Sequence, residues 1–349
     1  MSRKDSKGLT AVGEILTPKL FPQINRNPGP TPIQQRLIEA AASSIEHPYQ
    51  RSILYQHSVL CQTYLPYRNP GDDTREWDRR NGDVHLEVRA GKAMDPTERH
   101  LVQVGLPFGP KCRLVLMHIN QLAIRSQSPH IEIEDSLTAF VRRVLNLDPK
   151  GRNTTEVKAQ LVRLSAADIT LGIVRDNHAR TGTVGRTNYL RVVRDFDLWS
   201  TKDERQRMLW PSVIDLSLDY FESLMSFAVP LDEAHIAALS HSALALDIYV
   251  WLAQRLHRVP PNKPAFVSWA ALHGQFGQGY NPKRMNKFRQ VFKVELNQVL
   301  SLYKAARITE DERHPPKLLI QAGKATWREP PAKGLTLHNS PPPVPRRLV

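Results

Sequence analysis

The chain has 349 residues, enough for two or three domains of ordinary size, and its 41% hydrophobic and 23% charged residues are typical of a folded globular protein. Its 48 Lys and Arg against 34 Asp and Glu give a net charge of +14, which predicts a polyanionic partner. No signal peptide, membrane span or disulfide framework is recognisable, so we expect a protein of the reducing cytoplasm with nucleic acid, and no membrane, as its partner.

The two ends of the chain have compositions unlike the rest. Residues 1–32 are basic and rich in proline, which predicts a flexible arm, and residues 326–349 end in PPPVPRRLV, which predicts a disordered tail. After the arm, Ile33–Leu60 has helical spacing, and Val84, Leu86 and Val88 alternate with polar residues as in a half-buried strand.

A first unit is predicted over residues 33–231. From Arg113 its order is a helix, a short strand near Ile131, a helix over Ser136–Leu147, and a helix over Thr154–Ser165 with Asn153 as N-cap. Two β-rich segments follow, Ile169–Val174 and Thr187–Val193, and a further strand is expected around residues 213–218.

The same order recurs in a second unit, predicted over residues 232–325. A helix over Ser242–His257 is followed by a short strand at Ala265–Val267 and a helix over Trp269–Phe276. A long helix then covers Pro282–Tyr303, and strands at Ala306–Thr309 and Lys317–Gln321 complete the unit. We therefore predict an α+β fold with two tandem winged helix-turn-helix domains.

The third helix of each unit is the candidate recognition helix. In the second unit Phe288, Phe292 and Leu296 share an apolar face, and the opposite face has Lys, Asn and Gln side chains and no acid before Glu295. These polar groups suit base edges and phosphates. The helix of the first unit is expected to turn Thr155, Lys158, Ala159, Val162 and Arg163 outward. The loop Arg175–Arg186, with two glycines and several cations, suits a wing on the DNA backbone.

The candidate DNA-binding residues are Arg152, Thr155, Lys158, Arg163, Arg180, Arg186, Lys283, Arg284, Asn286, Lys287, Gln290 and Lys293. An ordinary solvated face is the alternative interpretation of each helix, and a mobile solvated loop is that of the wing.

Three other interpretations of the chain as a whole remain open. One is a winged-helix transcriptional repressor without a role in replication. A second is a primase-like or nuclease enzyme, in which Asp195 and Asp197, two apart on a strand, would hold a metal ion. A third is an adaptor that recruits partners through its arm and tail. No phosphate-binding loop and no paired-histidine motif is present, so we predict no catalytic residue, no metal and no cofactor.

Long runs of the sequence resemble plasmid-encoded replication initiators of the RepA type. They include VGLPFGPKCRLVLMHIN from Val104, IEIEDSLTAFVRRVLNL from Ile131, LSHSALALDIYVWLAQRL from Leu239 and FVSWAALHGQFG from Phe266. The resemblance covers residues 80–325 roughly and leaves out the arm and the tail.

This resemblance implies a bacterial protein that binds directly repeated sites, or iterons, in the double-stranded DNA of an origin through two winged-helix domains. Such proteins open an adjacent A·T-rich region, bring in host replication proteins (the helicase and the host initiator), and in many cases repress their own gene as homodimers. The implied base-reading residues are Thr155, Lys158 and Arg163, and Lys283, Lys287 and Gln290.

Overall fold

The computed structural model describes residues 29–46, 52–95, 99–132, 140–145, 147–149, 151–177, 182–186, 192–199, 210–256, 259, 264–304, 306–311 and 317–322. The predicted tail and all but the last residues of the predicted arm lie outside these ranges. In the part that is described, no helix combines the length and the apolar character needed to cross a membrane.

The described helices run in the following order: α1 Pro32–Glu46, α2 Gly109–Ser126, α3 Gly151–Ala166, α4 Leu218–Phe227, α5 Glu233–Leu239, α6 Ala243–Leu256, α7 Trp269–Phe276 and α8 Met285–Leu302. A π-helical turn at Phe140–Val144 precedes α3, and a 3-10 turn at Pro282–Arg284 leads into α8.

The described strands are β1 Ile53–His57, β2 Glu76–Asn81, β3 Val84–Arg89, β4 Lys92–Asp95, β5 His100–Gln103, β6 His130–Glu132, β7 Asp168–Asn177, β8 Gly182–Arg186, β9 Val193–Trp199, β10 Trp210–Leu216, β11 Ala228–Asp232, β12 Ala265–Ser268, β13 Ala306–Asp311 and β14 Lys317–Ala322. They form antiparallel sheets in the orders β1-β11, β2-β3-β7-β8, β4-β5, β6-β10-β9 and β12-β14-β13.

The elements of the first unit are distributed over several sheets. The hairpin β7–β8 extends the N-terminal hairpin β2–β3, with Leu86 opposite Leu171. The short strand β6 pairs instead with β10, where Ile131 lies opposite Ile214. The strand expected around residues 213–218 is therefore present, and Leu218 already begins helix α4.

Three local predictions for the first unit were wrong. The helix expected over Ile33–Leu60 ends at Glu46. This end is consistent with Pro48, because a proline disfavours helical geometry at the residue before it. Asn153 is not an N-cap, since α3 begins at Gly151 and the Asn153 amide donates to the Asp148 carbonyl. The two β-rich segments were expected to form the closing hairpin, but β7 pairs with β3 and β8, and Val193 pairs with β10; residues 187–191 lie outside the described ranges.

Of the helix predicted over Ser136–Leu147, residues 136–139 and 146 lie outside the described part of the chain. The π-helical turn is what the structure describes within this range, and it buries Phe140 and Val141.

The second unit has the predicted elements in the predicted order. Strand β12 pairs with β14 and β14 with β13, so that Phe266 lies opposite Leu319 and Ile308 opposite Ile320. Ser268 caps α7, because its hydroxyl accepts a hydrogen bond from the amide of Ala271. The short 3-10 turn precedes the long helix, with Pro282 at its first position and the Asn281 side chain accepting a hydrogen bond from the amide of Lys283.

One continuous core of buried side chains joins the two predicted units. Arg113 of α2 and Asp247 of α6 form a buried bidentate ion pair, in which both N···O distances are 2.7 Å. Arg113 also donates to the carbonyls of Leu65, Pro66 and Gly109, so the guanidinium is fully hydrogen-bonded. Burial would lower the pKa of Arg113, but the Asp247 carboxylate outweighs it and the pKa is raised.

Cys61 and Cys112 are both buried, and neither forms a disulfide bond. Burial raises the pKa of Cys112 to about 12, so this thiol stays protonated and inert at neutral pH.

Candidate nucleic-acid interface

Helix α8 is held by one apolar face, and this fixes which side chains point outward. Phe288, Phe292 and Leu296 are at most 4% exposed and pack in the core with Val299. Trp269 of α7 meets Phe288 and Phe292 edge-on, with ring centroids 6.4 and 5.8 Å apart. The predicted inner face of this helix is therefore confirmed.

The opposite face of α8 and its leading turn present exposed polar side chains. They are Lys283, Arg284, Asn286, Lys287 and Gln290. Within the described ranges, no hydrogen bond or ion pair engages these five side chains. Three are cations, and Asn and Gln can each form two hydrogen bonds with adenine. The geometry thus places five of the predicted residues together on one solvated surface, which we call the α8 surface.

Lys293, predicted on the same face, is held differently. Its Nζ lies 2.5 Å from Oε2 of Glu310 on β13, and Arg289 donates to Oε1 of the same carboxylate at 2.7 Å. Trp269 Nε1 also donates to Oε1, at 3.0 Å. The sequence did not predict this network, because Glu310 lies in another element and only the sheet brings it to the helix. In the sequence, the one signal for this network is Arg289, which lies near the apolar side of the helix and is therefore poorly placed to contact a base.

At the start of α3 the predicted residues are exposed. Arg152 makes an ion pair with Glu156 one turn later at 2.8 Å, and its side chain is 91% exposed. Thr155 is also exposed, and its hydroxyl donates to the carbonyl of Gly151. These two side chains remain open to a ligand.

Part of the predicted outer face of α3 is covered, so the outward placement of Lys158 and Val162 was wrong, whereas Ala159 is exposed as predicted. Lys158 and Val162 are only 7% and 8% exposed. Val162 and Ala166 pack against Ala93 of the β4–β5 hairpin and against Val104. Burial lowers the pKa of Lys158 to about 8. Helical periodicity gave the correct side of the helix, but it does not show which distant hairpin covers that side.

Arg163 is engaged within the protein. Its guanidinium donates to the carbonyl of Leu106 at 3.0 Å, lies 3.4 Å from Asp72 and stacks over the ring of Phe108 at 5.2 Å. Its side chain is 18% exposed. These contacts give Arg163 a structural role in fixing the segment that follows the hairpin.

The base of the β4–β5 hairpin is closely seated on α3. Arg75 donates to the carbonyls of Ala90, Gly91 and Val104 and so joins its two ends. A Cβ atom on Gly91 would lie 1.8 Å from the carbonyl oxygen of Ala166, so no larger residue fits there without movement. The cover on α3 is therefore a packed part of the fold.

The predicted wing loop is partly strand. Arg175 and Arg186 belong to β7 and β8, where Arg175 is opposite Val184 and Arg186 opposite Ile173. Arg180 lies outside the described residues, as does the side chain of Arg186.

Asp195 and Asp197 both lie on β9, as the enzyme hypothesis requires. Asp195 is exposed and makes an ion pair with Arg194 at 2.9 Å, and the Asp197 side chain is outside the described part. Among the described residues, no three potential metal ligands form a group.

An exposed basic helix beside a small antiparallel sheet is an arrangement suited to contact with nucleic acid. Residues 106–270 match the model of a family described as "Plasmid encoded RepA protein", so the resemblance that the sequence predicts is confirmed over this central segment, which ends before α8. A comparison with curated proteins finds no significant match.

Two crystal structures of domains 2 and 3 of RctB are similar to the chain. One, a selenomethionine derivative, has a TM-score of 0.47 and the other, of RctB residues 155–483, has 0.44. Both are 10% identical in sequence and cover 76% of this chain and 98% and 96% of their own. At this level the likeness says nothing about what this chain binds.

Proposed function

We propose that this protein is a plasmid replication initiator that binds repeated sites in origin double-stranded DNA and reads them chiefly through the α8 surface. The observation that supports this most is the set of five exposed polar side chains with no partner in the described structure, on a helix whose other face is fixed in the core. The match of residues 106–270 to the plasmid-encoded RepA family supports the role in replication.

In this proposal the second unit, residues 232–325, is a winged helix-turn-helix domain. Helices α7 and α8 form the helix-turn-helix, and the sheet β12-β14-β13 provides the wing. The first residues of a recognition helix enter the major groove, which assigns base contacts to Lys283, Asn286, Lys287 and Gln290. Arg284, at the start of the helix, is a phosphate contact.

The first unit, residues 33–231, has a smaller part in base reading. Because Lys158 and Arg163 are engaged inside the protein, its contacts fall to the exposed start of α3, at Arg152 and Thr155, and to the β7–β8 hairpin with Arg180 and Arg186. Such contacts are mainly to phosphates and position the protein on the duplex.

Origin opening follows if the two units bind one duplex together. Bending the DNA of the binding site costs about 1–6 kcal/mol, and contacts from both units offset this cost. The strained A·T-rich DNA next to the repeats then melts and host helicase is recruited. The same complex placed over the promoter represses the protein's own gene.

DNase footprinting combined with permanganate reactivity tests this function on supercoiled plasmid DNA that contains the protein's own gene and the flanking repeats. We expect protected repeats together with reactive thymines in the adjacent A·T-rich segment. Protection without reactive thymines would instead support a transcriptional repressor. Absence of any protected site would contradict both.

A further inference from the structure

The cations of α8 and its leading turn fall into two groups, which differ in whether they bind the carboxylate of Glu310. Lys283, Arg284 and Lys287 have no partner among the described residues, whereas Arg289 and Lys293 both bind the carboxylate of Glu310. The side chains of Arg289 and Lys293 are still 26% and 45% exposed, so the Glu310 contact, rather than burial, restrains them.

The Glu310 site is built from three elements. Trp269 of α7 donates to Oε1, and the Trp269 ring also faces both cations, with Arg289 Cζ 5.0 Å and Lys293 Nζ 5.8 Å from its centroid. The carboxylate is 20% exposed. Partial burial acts to raise the pKa of Glu310, but the hydrogen bonds from Lys293, Arg289 and Trp269 outweigh it, and the pKa lies below its usual value. Glu310 is therefore ionised at neutral pH.

We propose that Glu310 is a specificity-determining positioning residue: it holds Arg289 and Lys293 against Trp269 and withholds two cations from the DNA phosphates. The inference rests on the proposed function of the α8 surface. Phosphate contacts add affinity for every sequence alike, whereas base contacts favour one. Restraining two cations beside the reading face lowers the affinity for random DNA more than that for the cognate site.

The proposal predicts how the affinity for DNA changes with salt concentration. Each phosphate neutralised by the protein adds about 0.9 to the slope of log K against log salt concentration. If Glu310 restrains both cations, its neutralisation steepens the slope for random DNA by about 1–2 and raises the affinity for random DNA most at low salt.

The test compares Glu310→Gln with Glu222→Gln in the full-length protein. Glu222 is an exposed acid on α4, so the second variant has the same change in net charge away from α8. Binding to cognate and random duplexes is measured by fluorescence anisotropy across a salt series. We expect the steeper slope and the lower ratio of cognate to random affinity in Glu310→Gln alone, and Lys293→Gln added to it should reverse part of the gain. An unchanged slope, or one matched by Glu222→Gln, would overturn the proposal.

A second comparison does not depend on the folding of the Glu310 variant. In the otherwise unchanged protein, Lys293→Gln should leave the random-DNA slope nearly unaltered, because Glu310 already holds the Lys293 ammonium away from the phosphates. Arg284→Gln, which removes the exposed cation assigned to a phosphate, should reduce it by about 0.9. Equal reductions of the random-DNA slope in the two variants would contradict the proposal that Glu310 restrains Lys293. If the original protein bound cognate and random DNA alike, the proposed function would fail, while these slopes would still decide the role of Glu310.

Discussion

At the scale of single residues, contacts within the protein decide which cations are available to DNA. Lys287 is exposed on the α8 surface, whereas Arg163 and Lys293, predicted for the same purpose, already have carboxylate partners. Sequence position alone does not separate these cases, because Asp72 and Glu310 are distant along the chain.

Lys287→Ala is expected to weaken cognate binding by about 1–3 kcal/mol if the lysine contacts a base, with a smaller effect on random DNA. Anisotropy titrations on both duplexes measure the two effects. Arg125→Ala, which removes an exposed cation at the end of α2, serves as the control and should change neither strongly. Equal losses on both duplexes for Lys287→Ala would make it a phosphate contact.

His57 is a buried neutral histidine whose environment predicts a pH effect on stability. Its Nδ1 accepts from the amide of Val59, so Nε2 has the proton and donates to Ser223, and the ring stacks on Tyr220. Burial lowers the pKa of His57 from 6.5 to about 4. The unfolded chain therefore binds an extra proton between these pH values, and stability falls as pH decreases through this window.

Urea denaturation near pH 7.5 and near pH 5 tests this effect. On acidification the original protein should lose about 2 kcal/mol more unfolding free energy than His57→Gln, since one pKa unit corresponds to about 1.4 kcal/mol. The other histidines are common to both proteins and cancel. The same loss in both would show that His57 is not responsible.

At the scale of elements, the sequence predicts local structure well, but it predicts poorly which distant elements pack against each other. The bounds of α7 and the apolar face of α8 follow from helical spacing, capping and proline alone. The burial of Val162 does not, because it depends on Ala93 of the β4–β5 hairpin, which is distant along the chain. The pairing of β6 with β10, and of β3 with β7, is likewise set by tertiary contacts.

Lys158→Met tests the cover on α3. Because the lysine is charged and buried at neutral pH, we expect the variant to be more stable by about 1 kcal/mol and to bind cognate DNA as before. The folded protein binds fewer protons than the unfolded chain between pH 8 and 10.5, so the original should gain stability as pH rises through that range. The variant should lack this gain.

Urea denaturation near pH 7.5 and near pH 9.5, with DNA titrations beside it, measures both effects. A loss of cognate affinity as large as that of Lys287→Ala would mean that the hairpin moves away and that Lys158 reaches the DNA.

At the scale of the whole molecule, the Arg113–Asp247 pair joins the two predicted units through their central helices. Gln275 of α7 also donates to the carbonyl of Gln62, and the rings of Tyr64 and Phe276 stack at 6.2 Å. With a continuous core, we expect the described parts of both units to unfold in one transition.

Arg113→Met or Asp247→Leu alone leaves an unpaired buried charge and should cost about 3–5 kcal/mol. The double variant should recover part of this loss, since it leaves no unpaired charge, although the carbonyls of Leu65, Pro66 and Gly109 lose the Arg113 donor. Chemical denaturation of the four proteins gives the coupling energy. Additive losses would show that the pair does not act as a unit.

In the proposed function, the α8 surface recognises a particular DNA sequence. The most direct test is fluorescence anisotropy of the purified protein on the repeat-containing DNA beside its own gene and on the same DNA shuffled, across a salt series. We expect the cognate DNA to bind more tightly by about 10³-fold or more, within the usual specific range. Equal, weak binding to both duplexes, with only a steep salt dependence, would contradict it.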